Sequence, residues 1–394
     1  MLKVKAVGLS FLLIFLVSGC GGKAVQQISG RIISPPSSFL ELVPSSSIDS
    51  LTDDLDVASL SLAIDRSLQY FGRFNDADVY YVGARQSTVA EMVETLKAFR
   101  DIVSVTESDQ AKQKKIRDTF DFYRSRGDDI NGQVIFTGYY EPILSGSLSK
   151  TTQYRYPLYR ALDETVALNA GKSVGRMVKG EVLPHYKRAE IDSDKSLSGR
   201  NLEIVWVDDF VALFFLQIQG SGKVRLSDGN LIQVGYAQSN GYPYRSISNY
   251  MVDKGMLSKN DTSLPAIKKY LREHPDEMER VFNYNERYVF FRLLDKGPIG
   301  SLGIAVTGGR TIASDPGVFP KGALAFIRTR KPLIDKGEVV KWITFSRFVL
   351  NQDTGAAIIG AGRIDIFCGG GAEAEGMAGR LKEGGELIFL LKKK

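Results

Sequence analysis

From residue 132 onward the chain breaks again and again into short runs of β-forming residues, and this punctuation constrains its fold more than any other feature. Runs at 134–136, 156–159, 203–207, 213–218, 224–226 and 231–234 are separated by Gly, Asp and Asn. Ser227-Asp228-Gly229-Asn230 is a hairpin signal. Strand-like runs return at 323–328, 339–345, 364–367 and 387–391, after a helical interlude over 247–282. Ahead of them, 57–126 reads as helix: Leu60, Leu62, Ala63, Leu68 and Phe71 recur at spacings of three and four, and 89–100 and 111–124 behave alike. Short strands without regular βαβ alternation predict a mainly β protein with a helical N-terminal part, built as barrels or sandwiches.

The chain has 394 residues, 43% hydrophobic and 24% charged. That is enough to bury a core and, at about 150 residues per domain, to form two or three domains. With two His and two Cys in the whole chain, zinc clusters lack ligands. His185 and His274 lie in no catalytic pattern. Ser147-Leu148-Ser149-Lys150 imitates a Ser-x-x-Lys motif without its Lys-Thr-Gly companion. The formal charge of +6, or +4 once Lys3 and Lys5 are lost with residues 1–19, is too mild for a nucleic-acid binder. Much of it resides in Lys392, Lys393 and Lys394.

Lys3 and Lys5 precede an apolar run over 6–17, shorter than a bilayer span of roughly 20 residues. Residues 1–19 read as a secretory signal. Leu16-Val17-Ser18-Gly19-Cys20 resembles a bacterial lipobox, which would make Cys20 a lipidated N-terminus; Gly21 in place of Asp points to the outer membrane, with the protein facing the periplasm. Cys368 is then left without a disulfide partner. Residues 20–54, rich in Ser, Pro and Gly, read as a tether.

The densest chemistry lies in 351–371, NQDTGAAIIGAGRIDIFCGGG. It sets Asp353 and Asp365 on either side of a Gly-rich turn. In a strand through Asp365, Ile364 and Ile366 share one face while Asp365 and Phe367 share the other. An Asp beside an aromatic ring, next to backbone left bare by Gly369, Gly370 and Gly371, loses water and holds its proton more tightly. Such a group suits general-acid work. Both Asp residues also suit turn caps, and this stretch taken alone favours that structural role.

Six ordered blocks decide more: FTGYYEP (136–142), FFLQIQGSGKVRLSDG (214–229), VGYAQSNGYPYRSI (234–247), NYNERYVFFR (283–292), GPIGSLGIAVTGGRTIASDP (297–316) and the carboxylate segment. Together they resemble the membrane-bound lytic murein transglycosylase A family over about residues 130–391. The resemblance implies a double-psi β-barrel domain, 55–148 plus 296–394, with a smaller β-barrel-like domain, 149–295, inserted into it. A groove between them would hold a glycan strand of peptidoglycan. It also implies cleavage of the β-1,4 bond between N-acetylmuramic acid and N-acetylglucosamine without water, leaving a 1,6-anhydro ring. The family's essential Asp falls on Asp365, with Asp353 in support. Thr137, Tyr139, Tyr140, Gln217, Gln219, Ser221, Tyr244 and Arg245 lie in the matching blocks as candidate substrate contacts. Ala356 and Cys368 depart from the family pattern.

One carboxylate suffices for such chemistry because the nucleophile is the substrate's own C6 hydroxyl, whereas ordinary glycosidases need two. No metal or organic cofactor is implied. The partners implied are glycan strands, the outer membrane through Cys20, and candidate cell-wall synthesis or division proteins. Two other readings compete: a hydrolase in which Asp353 activates water, and a glycan-binding lipoprotein without turnover.

Overall fold

The computed structural model describes residues 31–394 apart from 36, 128–131 and 169–172. The signal, the lipobox and Cys20 therefore lie outside the described residues.

The larger body is a closed barrel of six strands, in order Leu324–Asp335, Glu338–Asp353, Thr311–Ala313, Arg363–Gly370, Val134–Glu141 and Lys382–Lys392, with the last pairing back to the first. Strand Thr311–Ala313 runs parallel to Glu338–Asp353, and Arg363–Gly370 runs parallel to Val134–Glu141. Phe120–Ser125 and Leu40–Val43 extend the sheet outward from Lys382–Lys392. Period-2 alternation fills the interior: Phe136, Ile312, Ile364, Ile366, Leu350 and Ile388 are buried in one cluster.

Two helices close this core. Val57–Phe71 starts at Asp56, whose carboxylate accepts the Ser59 N–H, and contributes Leu60, Ala63 and Ile64. Val89–Ser104 starts with a Thr88/Glu91 capping box and contributes Met92, Leu96 and Phe99. The Phe99 ring lies 4.6 Å from that of Phe348 on the barrel.

The smaller body is a six-stranded sheet ordered Val289–Leu294, Leu231–Ser239, Ser221–Leu226, Ile143–Ser147, Glu203–Val207 and Tyr156–Tyr159. A bridge between Arg160 and Phe291 brings its two edges together. The 227–230 turn joins two of these strands, with the Leu226 N–H donating to the Asn230 carbonyl.

Four expectations need correcting. The run at 213–218 is helix, not strand: Phe210–Gln219 is capped by the Asp209 carboxylate and ended by Gly220 at φ +79°. Because it packs on the sheet and on helices Ile247–Asp253, Leu264–Glu273 and Met278–Tyr284, it is apolar nearly all round and shows no amphipathic period. The expected tether ends early, since from Ile32 on the chain is built in: Leu40, Ile48 and Leu51 are buried, Asp53 pairs with the buried Arg310 at 2.6 Å, and Asp54 pairs with Arg347. The chain leaves the barrel at Pro142 rather than 148, because Ile143–Ser147 hydrogen-bonds inside the smaller sheet. The last N-terminal helix likewise stops at Thr119, where Phe120–Ser125 joins the sheet as a strand.

Candidate active site

Two cavities of about 990 and 890 Å³ lie between the barrel and the smaller body. Asp365, Tyr139, Gln217 and Gln219 line both, so Asp365 stands where the two arms of one groove meet. Its strand alternates as the sequence requires, with Ile364 and Ile366 fully buried inside and Asp365 facing the groove.

Pairing sets the carboxylate's neighbours. Thr137 is the register partner of Asp365 on the adjoining parallel strand, and its hydroxyl donates to Asp365 Oδ1 at 2.7 Å. The Arg363 Nε donates to the same hydroxyl at 3.2 Å. Among the described residues Asp365 Oδ2 has no donor, so it is the oxygen free to meet a ligand. Burial pushes the Asp365 carboxyl above its ordinary range; the Thr137 hydrogen bond and the Arg363 charge pull it down, and the charge of Asp353 pushes it up again.

Asp353 is held quite differently. Its Oδ1 accepts the Ser301 and Thr354 backbone N–H groups, both at 2.8 Å, and its Oδ2 accepts the Tyr139 hydroxyl at 2.8 Å. Burial raises its pKa and these three donors oppose the rise. The Tyr139 hydroxyl is pushed far up, first by burial and then by Asp353, and stays a donor. Its ring packs 5.1 Å from Phe367. Gly138 lets helix Ala372–Ala378 close over this strand, since a β-carbon there would sit 2.7 Å from the Ala378 α-carbon.

The other sequence candidates divide. Gln217, Gln219 and Ser221 sit at the end of helix Phe210–Gln219 and the strand that follows it, and Ser221 reaches only the smaller cavity. Gln219 Oε1 accepts the Tyr140 N–H at 3.0 Å, which ties the two walls together. Tyr140 and Tyr244 line the larger cavity. Tyr140 is almost wholly buried, and its hydroxyl receives the Lys268 ammonium at 3.3 Å, so it is more wall than ligand. Arg245 does not line either cavity; it pairs with Glu286 at 3.2 Å. Cys368 has its thiol pushed up to about 12 by burial and is inert. Arg363 and the Ser301 N–H were missed. Arg363, two residues before Asp365, shares its face by the same alternation and was legible; the Ser301 contact depends on a distant loop.

Residues 135–292 match the family model of the MltA specific insert domain, and 310–391 match that of the 3D domain. The membrane-bound lytic murein transglycosylase A of Escherichia coli K12 is 30% identical over 262 residues, and that of Vibrio cholerae is 27% identical over 264. Each alignment spans 66% of this chain and 66% of the relative's length. A solved membrane-bound lytic murein transglycosylase from Agrobacterium tumefaciens superposes with a TM-score of 0.70 at 27% identity, covering 87% of this chain and 97% of that one. The Escherichia coli protein solved with bound chitohexaose also gives 0.70, at 23% identity, covering 94% and 98%. This chain belongs to the membrane-bound lytic murein transglycosylase A family.

Proposed function

We propose that this protein cleaves peptidoglycan glycan strands as a lytic transglycosylase, with Asp365 as general acid and then general base. Asp365 begins protonated. It gives its proton to the glycosidic oxygen as the bond from the muramic acid C1 breaks, and its carboxylate then takes the proton of the C6 hydroxyl as that oxygen bonds to C1. The product is a 1,6-anhydro ring, no water is consumed, and the attack is intramolecular.

The observation that carries this reading is the contrast between the two carboxylates. Asp365 is desolvated, faces both arms of the groove and keeps an oxygen free. Asp353 spends both oxygens on three protein donors, which suits a positioning residue and leaves it poorly placed to activate water. That weighs against the two-carboxylate hydrolase. Thr137 lowers the proton affinity that burial raises at Asp365, and Tyr139 ties Asp353 to the groove wall. Gln217, Gln219, Ser221 and Tyr244 serve as sugar contacts, while Arg245, paired with Glu286, is left out of this set. The chitohexaose bound by the Escherichia coli relative of the same fold is an N-acetylglucosamine oligomer, in keeping with a glycan in the groove.

The reading includes lipid anchoring at Cys20 to the outer membrane, with the enzyme facing the periplasm; among the described residues no helix is long and apolar enough to cross a membrane. Loss of lipid labelling in Cys20→Ala tests the anchor, and the mass of the released muropeptides tests the chemistry.

A further inference from the structure

The two arms of the groove differ sharply in charge. The larger is lined by Lys259, Arg363, Arg380 and Lys382, none of which lines the smaller one. Among the described residues none of the four has a carboxylate salt-bridge partner. Lys259 and Lys382 are exposed, free to swing toward a ligand. Against them this arm holds a single carboxylate of its own, Asp261. Arg188 is also there but is neutralised by Asp192 at 3.1 Å. The smaller arm has the opposite balance, with Asp315 and Asp353 against Arg292. Asp365 and Arg287 are common to both.

A neutral amino-sugar chain has no use for such asymmetry. Four cations without a carboxylate salt bridge, Arg363 and Arg380 also donating to backbone carbonyls, raise the local potential of a concave site and draw in anions, and low-dielectric walls focus that field. On a murein strand the anions are carboxylates carried by the muramic acid, either its bare lactyl group or the stem peptide attached there.

We propose that the larger arm is a carboxylate-recognition site that selects muramic acid bearing acidic substituents, with Lys259, Arg363, Arg380 and Lys382 as its cations and the stem peptide as its main ligand. This rests on the glycan-cleaving reading above and adds a polarity to it: the charged face of the strand lies in the arm with Lys382, and the arm with Asp315 holds sugar. Arg363 links the two functions, since it touches Thr137 beside Asp365 and lines the cationic arm.

The test is binding, separated from turnover by Asp365→Asn. Calorimetry at low and at physiological salt compares three probes: chitohexaose, peptide-free GlcNAc–MurNAc chains, and chains with intact stems. The same titrations are run on a Lys259→Glu/Lys382→Glu variant, with thermal unfolding to verify its fold. The expected result is tightest binding to stem-bearing chains, weakened by salt and by roughly tenfold in the variant, with chitohexaose affinity nearly unmoved. Equal loss on peptide-free muramic chains assigns the site to the lactyl carboxylate and supports the same chemistry. Equal affinity of wild type and variant for all three probes overturns it. Product analysis on the unsubstituted enzyme stays independent: anhydro products without charge selectivity would sink this inference and leave the cleavage reading standing.

Discussion

Asp353 and Asp365 stand on either side of Ala313 in a single row across the barrel wall, each the register partner of that alanine on its own strand. With strands about 4.8 Å apart, their α-carbons are roughly 10 Å from one another. Thr137 continues the row beyond Asp365. The small alanine leaves space between the two acids, and the pairing explains their division of labour. One acid meets backbone donors and a tyrosine, the other meets a threonine and open groove. Environments that separate the proton affinities of two carboxylates assign them different roles.

Removing each carboxylate should therefore have unlike effects. Asp365→Asn should lower kcat by at least about a thousandfold, the scale of a lost general acid and base. Asp353→Asn keeps a group that can accept the Ser301 and Thr354 N–H bonds, so it should lose roughly ten- to a hundredfold and still release anhydro products. Steady-state assays with product masses decide; reducing-end products, or complete loss in Asp353→Asn alone, contradict the assignment.

Thr137→Val deletes the donor that holds the Asp365 pKa down. Activity needs Asp365 protonated, so the alkaline limb of kcat/KM reports its ionisation. That limb should lie above the ordinary Asp range in the wild type and move to higher pH in Thr137→Val. A purely structural role for Thr137 would lower the whole profile without shifting it.

Burial raises the Asp365 pKa in the fold, so above the unfolded value of about 3.9 its ionisation works against folding, increasingly until pH passes the folded value. Asp365→Asn should raise Tm near neutrality by roughly 2 °C or more, as relief of an active-site cost commonly does. The gain should vanish near pH 3.5, where the carboxyl is protonated in both states. Thermal unfolding across pH measures this, and a Tm gain independent of pH would refute it.

The described residues between 31 and 54 are part of the folded unit. Arg310, fully buried, donates to Asp53, Ser59 and the carbonyls of Asp56 and Phe348. A chain starting at Leu55 leaves Arg310 and Arg347 without their carboxylates, and an uncompensated buried charge costs about 3 kcal/mol or more. Compared with a chain starting at Arg31, it should unfold several degrees lower, and Asp53→Ala should account for part of the drop. Matching melting curves for the two chains would count against this.

Much of this was legible. The alternation around Asp365 gave its face and its apolar neighbours, because period 2 is a local property of a strand. The β-rich barrel class followed from short runs and Gly turns. What depended on partners distant in sequence was not legible. Phe210–Gln219 looks like a strand because a helix packed on all sides has no polar face to betray its period. The Ser, Pro and Gly of 20–54 gave no hint that Asp53 meets Arg310 across 257 residues. Arg245 shared a block with true groove residues, yet Glu286 draws it away. The charge contrast between the arms came from residues scattered from 259 to 382, which no window along the chain brings together.

The most direct test of the account is mass spectrometry of the soluble products released from purified sacculi by the protein lacking residues 1–20, with Asp365→Asn alongside. Muropeptides one water lighter than hydrolytic products are expected from the unsubstituted protein and should be absent with Asp365→Asn. Reducing-end muropeptides, or anhydro products undiminished in Asp365→Asn, would contradict it.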